Sequence, residues 1–291
     1  MKVLLTGASG NIGTSLKAEL AAQGHDVRIM TRQPGGDYTW NARPGSVPDD
    51  SLSWADGVVS LNGASLTHLP WTSAYRDQIM TSRVQATTAL AKAIARADDP
   101  PRVWVSASAV GIYGDRGDAE LDESALPGAG FLADVVRAWE QSTKPAQDAT
   151  RVVLARTGLV LGTEGVLNIL GRVTKFGLGA RVGPGTQWWP WIWETDEARA
   201  IVFALEQPAL SGPVNLAAPK PATSDEITRA IAQAMRRPYV FKIPAPVIRA
   251  AMGDAQELML FSQRVIPQAL VNAGFKFQYD DAASAIGASW R

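Results

Sequence analysis

The first thirteen residues constrain this chain more than any later stretch. "KVLLTG" (2–7) is a continuous apolar run closed by glycine, and "NIGTSLKAELAAQG" (11–24) follows with helical spacing. Between them Gly7, Gly10 and Gly13 form a G-x-x-G-x-x-G pattern. An unbroken apolar run reads as a strand buried on both faces, hence as part of a parallel sheet sandwiched by helices. The first glycine permits a tight turn, the second lets backbone approach a ligand, and the third lets helix and strand pack closely. The helix amino end then offers its free N–H groups to an anion. The junction predicts a nucleotide phosphate seated against the opening helix.

The same rhythm continues. "DVRIMTR" (26–32), "GVVSLNG" (57–63), "RVWVSAS" (102–108) and "RVVLARTGLVLG" (151–162) read as strands, with helices at about 73–97 and 131–144 between them. This predicts an α/β chain built on a Rossmann, doubly wound parallel sheet. After Gly162 the pattern changes. Glycines and tryptophans crowd 177–193, a helix (197–207) and a strand (212–218) follow, and prolines at 238, 244, 246 and 267 break up the remainder. We expect a nucleotide-binding domain over 1–162, with 194–218 returning to it. Residues 163–291 are expected to form a smaller, mostly helical C-terminal substrate lobe.

Charge narrows the functions. Lys+Arg and Asp+Glu balance at 28 each with no basic run, so no footprint for nucleic acid is present. No apolar run reaches membrane-span length, and the opening apolar stretch is too short for a signal peptide, so a cytoplasmic protein is expected. There is no cysteine, and the two histidines, His25 and His68, are far apart, which argues against thiolate chemistry and a metal centre. A small-molecule substrate is expected, and homodimerisation is left open.

The second strand ends in "MTR". A site for NAD normally carries an acid at that tip to accept hydrogen bonds from the ribose diol. Arg32 offers instead a planar fork of donors suited to a 2′-phosphate, and so predicts NADP(H) over NAD(H).

"LLTGASGNIG" resembles the fingerprint of the extended short-chain dehydrogenase/reductases, which include nucleotide-sugar epimerases. "SASAVGIYG" (106–114), "RTGLVLG" (156–162), "GPVNLAAP" (212–219) and "FSQRVIPQALVNAGFKFQY" (261–279) together resemble an atypical subgroup. These are the YfcH-type epimerase-family proteins, which carry a distinctive C-terminal domain. The resemblance implies an NADP-dependent epimerase or oxidoreductase of unsettled substrate. It implies cofactor contacts at Gly7, Ser9, Gly10, Asn11, Ile12, Gly13 and Arg32, at Leu61, Asn62, Gly63 and Ala64, at Ser106, and at Thr157, Gly158 and Leu159 near the nicotinamide.

The catalytic pattern of that superfamily is missing. There, a tyrosine exchanges the proton that accompanies hydride transfer, and a lysine one helical turn later lowers its pKa. None of the five tyrosines here has a lysine four residues on, and Phe131 and Val135 stand at the expected places. The remaining candidates are Ser108, which could polarise a carbonyl or alcohol, Tyr113 just past that strand, Arg83 as a fixed positive charge, and Asp196 as a site acid. Each has a plainer reading: a strand-end serine, a packed tyrosine, a surface ion pair, a helix-capping acid. In "QWWPWIWE" (187–194) Trp189, Trp191 and Trp193 share one face if extended, which fits either a pocket wall or core packing. Two functions follow: an NADP(H)-dependent oxidoreductase or epimerase acting on a carbonyl, alcohol or sugar-nucleotide-like substrate, or a non-catalytic NADP(H)-binding sensor.

Overall fold

The computed structural model describes residues 1–162 and 166–289. The first part runs β1 (Lys2–Thr6), α1 (Asn11–Ala22), β2 (Asp26–Thr31), β3 (Tyr38–Thr39), α2 (Asp49–Trp54), β4 (Gly57–Ser60), α3 (Ser73–Ile94), β5 (Val103–Ala109), β6 (Glu120–Leu121), α4 (Phe131–Gln141), β7 (Arg151–Thr157) and β8 (Leu159–Leu161). The chain continues through α5 (Val166–Lys175), β9 (Gly179–Val182), β10 (Trp188–Trp189), β11 (Trp191–Trp193), α6 (Glu194–Glu206), β12 (Gly212–Leu216), β13 (Ala222–Thr223) and α7 (Ser224–Ala234). It ends with β14 (Tyr239–Ile243), α8 (Ala245–Met252), α9 (Glu257–Leu260), β15 (Arg264–Val265), α10 (Gln268–Asn272) and α11 (Ala282–Ser289).

Seven strands form one parallel sheet in the order β12-β7-β5-β4-β1-β2-β3. Its central strands carry apolar side chains toward both faces because each face has its own cover. Val3 and Leu5 of β1, Val59 of β4, Val103 and Val105 of β5, and Val153 and Ala155 of β7 face the side covered by α1 and α6. Their alternates Leu4, Val58, Trp104, Val152 and Leu154 face α2 and α3. The small side chains Ala198, Ala200 and Ala204 of α6 are buried beside Leu16 and Leu20 of α1, which lets these two helices pack closely. Thus α6 and β12, which follow the tryptophan stretch, both serve the main sheet.

The second lobe is less purely helical than its sequence suggested. Four two-stranded ladders, β10–β13, β11–β8, β14–β9 and β15–β6, lie beside or beneath its helices. Two of them tie it to the first domain: β15 pairs with β6, and β11 pairs with β8. Trp189, Trp191 and Trp193 do share a face, and that face is the lobe's core, packed with Ile227, Ile231 and Ile286. The core-packing reading of the tryptophan run therefore holds. Trp188 points elsewhere: its indole N–H donates to Asp118, and Arg264 stacks on its ring.

Candidate cofactor cleft and buried polar chain

Except for Ser106, which lies within β5, the predicted nucleotide residues sit at or just beyond the carboxyl ends of β1, β2, β4 and β7, the edge where ligands bind in open α/β folds. Gly7 turns the chain at φ +77°, and a Cβ there would stand 2.7 Å from the Leu61 carbonyl. A Cβ on Gly13 would stand 2.6 Å from the Gly7 oxygen, so helix and loop touch through backbone. Gly10, by contrast, has open space in front of it, with its nearest neighbour at 3.8 Å. It is also the N-cap of α1 and supplies no side-chain cap, and the first turn carries no acid. The first-turn amides at Asn11, Ile12 and Gly13 are thus left to an external acceptor. This cradle, with exposed Ser9 beside it, fits a pyrophosphate.

Arg32 lies just beyond β2, exposed, and makes no side-chain hydrogen bond or ion pair among the described residues. On the other side of β1 the segment Leu61-Asn62-Gly63-Ala64 follows β4. Thr6 Oγ1 donates to Asn62 Oδ1, which fixes this segment to the end of β1. Arg83 backs it from α3. Its guanidinium donates to the Ala64 carbonyl at 3.1 Å and the Ile79 carbonyl at 3.0 Å and lies over the Trp139 ring. Burial lowers its pKa to about 10. Arg83 is therefore a buried prop for the segment that ends in Ala64. The surface ion pair expected as its plainer role is absent, and its donors are already turned to backbone.

A buried polar chain runs beneath the cleft from Ser108. Its Oγ donates to Glu140 Oε1 at 2.6 Å. Arg156 holds both oxygens of that carboxylate, at 2.8 and 3.0 Å, and donates from its third nitrogen to the Tyr113 hydroxyl at 3.0 Å. Tyr113 in turn donates to Asn215 Oδ1 at 2.7 Å. Asn215 closes the chain by donating to the Ile266 carbonyl. Burial pulls the Arg156 pKa down, but its bonds to Glu140 and that carboxylate's charge outweigh this and hold it above the ordinary value. Burial raises the Tyr113 pKa against the opposing pull of Arg156.

This arrangement corrects two of the catalytic candidates. Tyr113 is fully buried, with its proton given to Asn215 and a lone pair taken by Arg156, so it has no surface with which to meet a substrate. Asp196 is equally buried. Its carboxylate accepts the backbone N–H groups of Gln278 and Tyr279 and binds Arg199, so it ties the C-terminal segment to α6 rather than facing a cleft. Ser106 is also sealed inside β5, with only a long bond to the neighbouring Ala107 carbonyl, which removes it as a direct cofactor contact. Ser108 keeps 3% of its surface. Phe131 and Val135 are absorbed by packing, Phe131 edge-on to Trp71 and under Arg76. The amides of Phe131 and Leu132 are capped by the Glu257 carboxylate, which reaches across from α9 at 2.9 and 3.0 Å.

At the end of β7, Thr157 is half-buried, with Gly158 and Leu159 following it along the same edge. The Thr157 hydroxyl donates to Glu197 Oε1 at 2.7 Å. Glu197 is fully buried, and its Oε2 has no hydrogen-bond partner among the described residues. Burial pushes this carboxyl up to about 8, against the opposing pull of the Thr157 hydrogen bond. Sequence reasoning missed Glu140, Arg156 and Glu197. Arg156 was visible only as the arginine of "RTG", and Glu140 as one polar residue on an amphipathic helix. An open depression of about 710 Å³ between α7 and α11, lined by Arg236 and Arg237 among others, contains none of these residues. Among the described residues no cluster of acids and histidines could hold a metal ion, and no helix is long and apolar enough to cross a membrane.

Residues 3–217 match the NAD dependent epimerase/dehydratase family, and residues 243–288 match a domain of unknown function, DUF1731. The chain is 41% identical over 290 residues to an epimerase family protein of Mycobacterium leprae (strain TN), covering 98% of this chain and 94% of that relative. It is 34% identical over 295 residues to the epimerase family protein SDR39U1 of Homo sapiens, covering 98% of each. A crystal structure of human SDR39U1 (isoform 2) with NADPH superposes at a TM-score of 0.90 and 31% identity, covering 100% of this chain and 99% of that one.

Proposed function

Because the chain belongs to the NAD dependent epimerase/dehydratase family, we propose that it binds NADP(H) along the carboxyl edge of its sheet and moves hydride between nicotinamide and a carbonyl, alcohol or sugar-nucleotide-like substrate. The observation that carries this reading is the pairing of an uncapped glycine-loop helix with an exposed, unengaged Arg32 one strand away. The relative of known structure that was solved with NADPH supports the same cofactor.

A bound nicotinamide supplies the hydride donor or acceptor. The chain's own residues do the rest. Gly7, Ser9, Gly10, Asn11, Ile12 and Gly13 would hold the pyrophosphate, Arg32 the 2′-phosphate, and Leu61 to Ala64, propped by Arg83, one wall. Ser108 has a single hydrogen, and Glu140 takes it. Its free lone pair therefore accepts from a substrate hydroxyl better than its O–H polarises a carbonyl. With Tyr113 and Asp196 withdrawn from the cleft, the proton that accompanies hydride is exchanged with water. Isothermal titration tests the cofactor half: NADPH should bind more tightly than NADH, and Arg32→Ala should remove that preference, a loss of roughly tenfold or more for a charge-assisted phosphate contact. Equal binding of both coenzymes by the wild type would refute it.

The same withdrawal of proton donors favours a second reading, a sensor that binds NADP(H) without turnover. Deuterium transfer from [4-²H]NADPH to a panel of carbonyls and keto-sugar nucleotides separates the two. Label in product supports the enzyme; binding without transfer to any member of the panel supports the sensor.

A further inference from the structure

Glu197 has no structural work that its position requires. It lies in the first turn of α6 with Glu194 and Asp196, which already give that helix end its negative charge. Its neighbours along the helix, Ala198, Ala200 and Ile201, belong to the main core. A carboxyl sealed there with one oxygen unpartnered costs stability that an apolar residue would not. Such a group calls for an explanation outside packing.

The sheet order supplies one. Arg32 follows β2, on one side of β1, so a dinucleotide whose pyrophosphate sits at the β1 loop places its adenosine over that side. Its nicotinamide half then crosses β4 and β5 toward β7. Three strand spacings amount to roughly 14 Å, a distance that ribose and nicotinamide can span. Thr157 is the last residue of β7, half-buried at that edge and level with Ala109 at the end of β5. A hydroxyl has one hydrogen and two acceptor lone pairs. The hydrogen of Thr157 goes inward to Glu197 at 2.7 Å, so what it can present to the cleft is acceptor capacity. The nicotinamide carboxamide is an N–H donor.

The geometry points to Glu197 as a positioning residue for the nicotinamide ring: it takes the Thr157 hydrogen and so orients that hydroxyl to accept an N–H of the cofactor's carboxamide. This rests on the NADP(H) reading above. Glutamine at 197 keeps a side-chain oxygen to accept from Thr157, whereas leucine fills the space and leaves the hydroxyl free to turn.

The test compares two probes by isothermal titration: NADPH, and 2′,5′-ADP, which carries the phosphorylated adenosine half and no nicotinamide. Glu197→Leu and Thr157→Val should each weaken NADPH by about 3- to 10-fold, the value of one hydrogen bond, and leave 2′,5′-ADP unchanged. Glu197→Gln should bind NADPH within about twofold of the wild type. Leu and Val variants that weaken both probes equally, or neither, overturn the assignment, as does a Gln variant as weak as the Leu variant. A wild type that binds neither probe overturns the cofactor reading itself, a result distinct from failure of the Glu197 assignment.

Discussion

Glu197 also makes a stability prediction that needs no ligand. In the unfolded chain its carboxyl titrates near the ordinary 4.5; in the native state burial moves it to about 8. Below pH 4.5 both states hold the proton and pH has no leverage through this group. Between 4.5 and 8 the unfolded state releases the proton while the native state keeps it, so the native state binds more protons and stability falls as pH rises. Above 8 both have released it and the loss is complete. At ~1.4 kcal/mol per pH unit, the full window is worth on the order of 5 kcal/mol, an upper bound because water entry or relaxation around a buried charge softens it. Glu197→Gln carries no proton and should lack this slope. Urea unfolding of both proteins at pH 5, 7 and 9 isolates it, since every other titrating group contributes to both curves. The wild type should lose several kcal/mol more than the variant between pH 5 and 9. Parallel pH profiles would show that Glu197 is not a buried acid holding its proton, and the reasoning from its sealed, half-partnered carboxyl would fail.

Three further outcomes follow from the polar chain and its neighbours. Glu140→Ala strands the Arg156 guanidinium, which is 8% exposed and relies on both carboxylate oxygens; a loss of about 3–5 kcal/mol is expected in chemical denaturation. Tyr113→Phe keeps the ring but leaves Arg156 and Asn215 each short of one bond, so stability should drop by about 1–3 kcal/mol while any hydride transfer, measured as deuterium from labelled NADPH, persists. A transfer rate that vanishes in a folded Tyr113→Phe variant would restore the tyrosine as proton donor. Asp196→Ala frees the amides of Gln278 and Tyr279 and unpairs Arg199, and hydrogen exchange should show those two amides opening before the amides of α6.

The parts of this molecule that were legible in its sequence are those governed by local rules. A strand buried on both faces carries apolar residues in succession rather than in alternation, so β1, β4, β5 and β7 announce themselves by their runs; a glycine whose Cβ would strike backbone 2.6 Å away announces a helix–loop contact. The place of Arg32, exposed just beyond β2, is legible for the same reason, because it follows from the strand's end alone. The catalytic candidates were chosen by chemistry and proximity along the chain, and there the reading was weaker. Tyr113 stands five residues beyond Ser108 in sequence, yet a 3₁₀ turn at Val110–Tyr113 carries its ring into a separate apolar cluster. Its partners Arg156 and Asn215 lie 43 and 102 residues away. Asp196 and Glu197 are adjacent in sequence and buried alike, but one finds three donors and the other finds one. No periodicity separates those two acids, because what distinguishes them is which distant segment arrives: the backbone of Gln278 and Tyr279 in one case, the end of β7 in the other. The deciding quantity at this site is the supply of hydrogen-bond partners across 40 to 83 residues of chain. Glu197, short of partners in that count and sealed from solvent, reaches the sheet's edge only through the Thr157 hydroxyl.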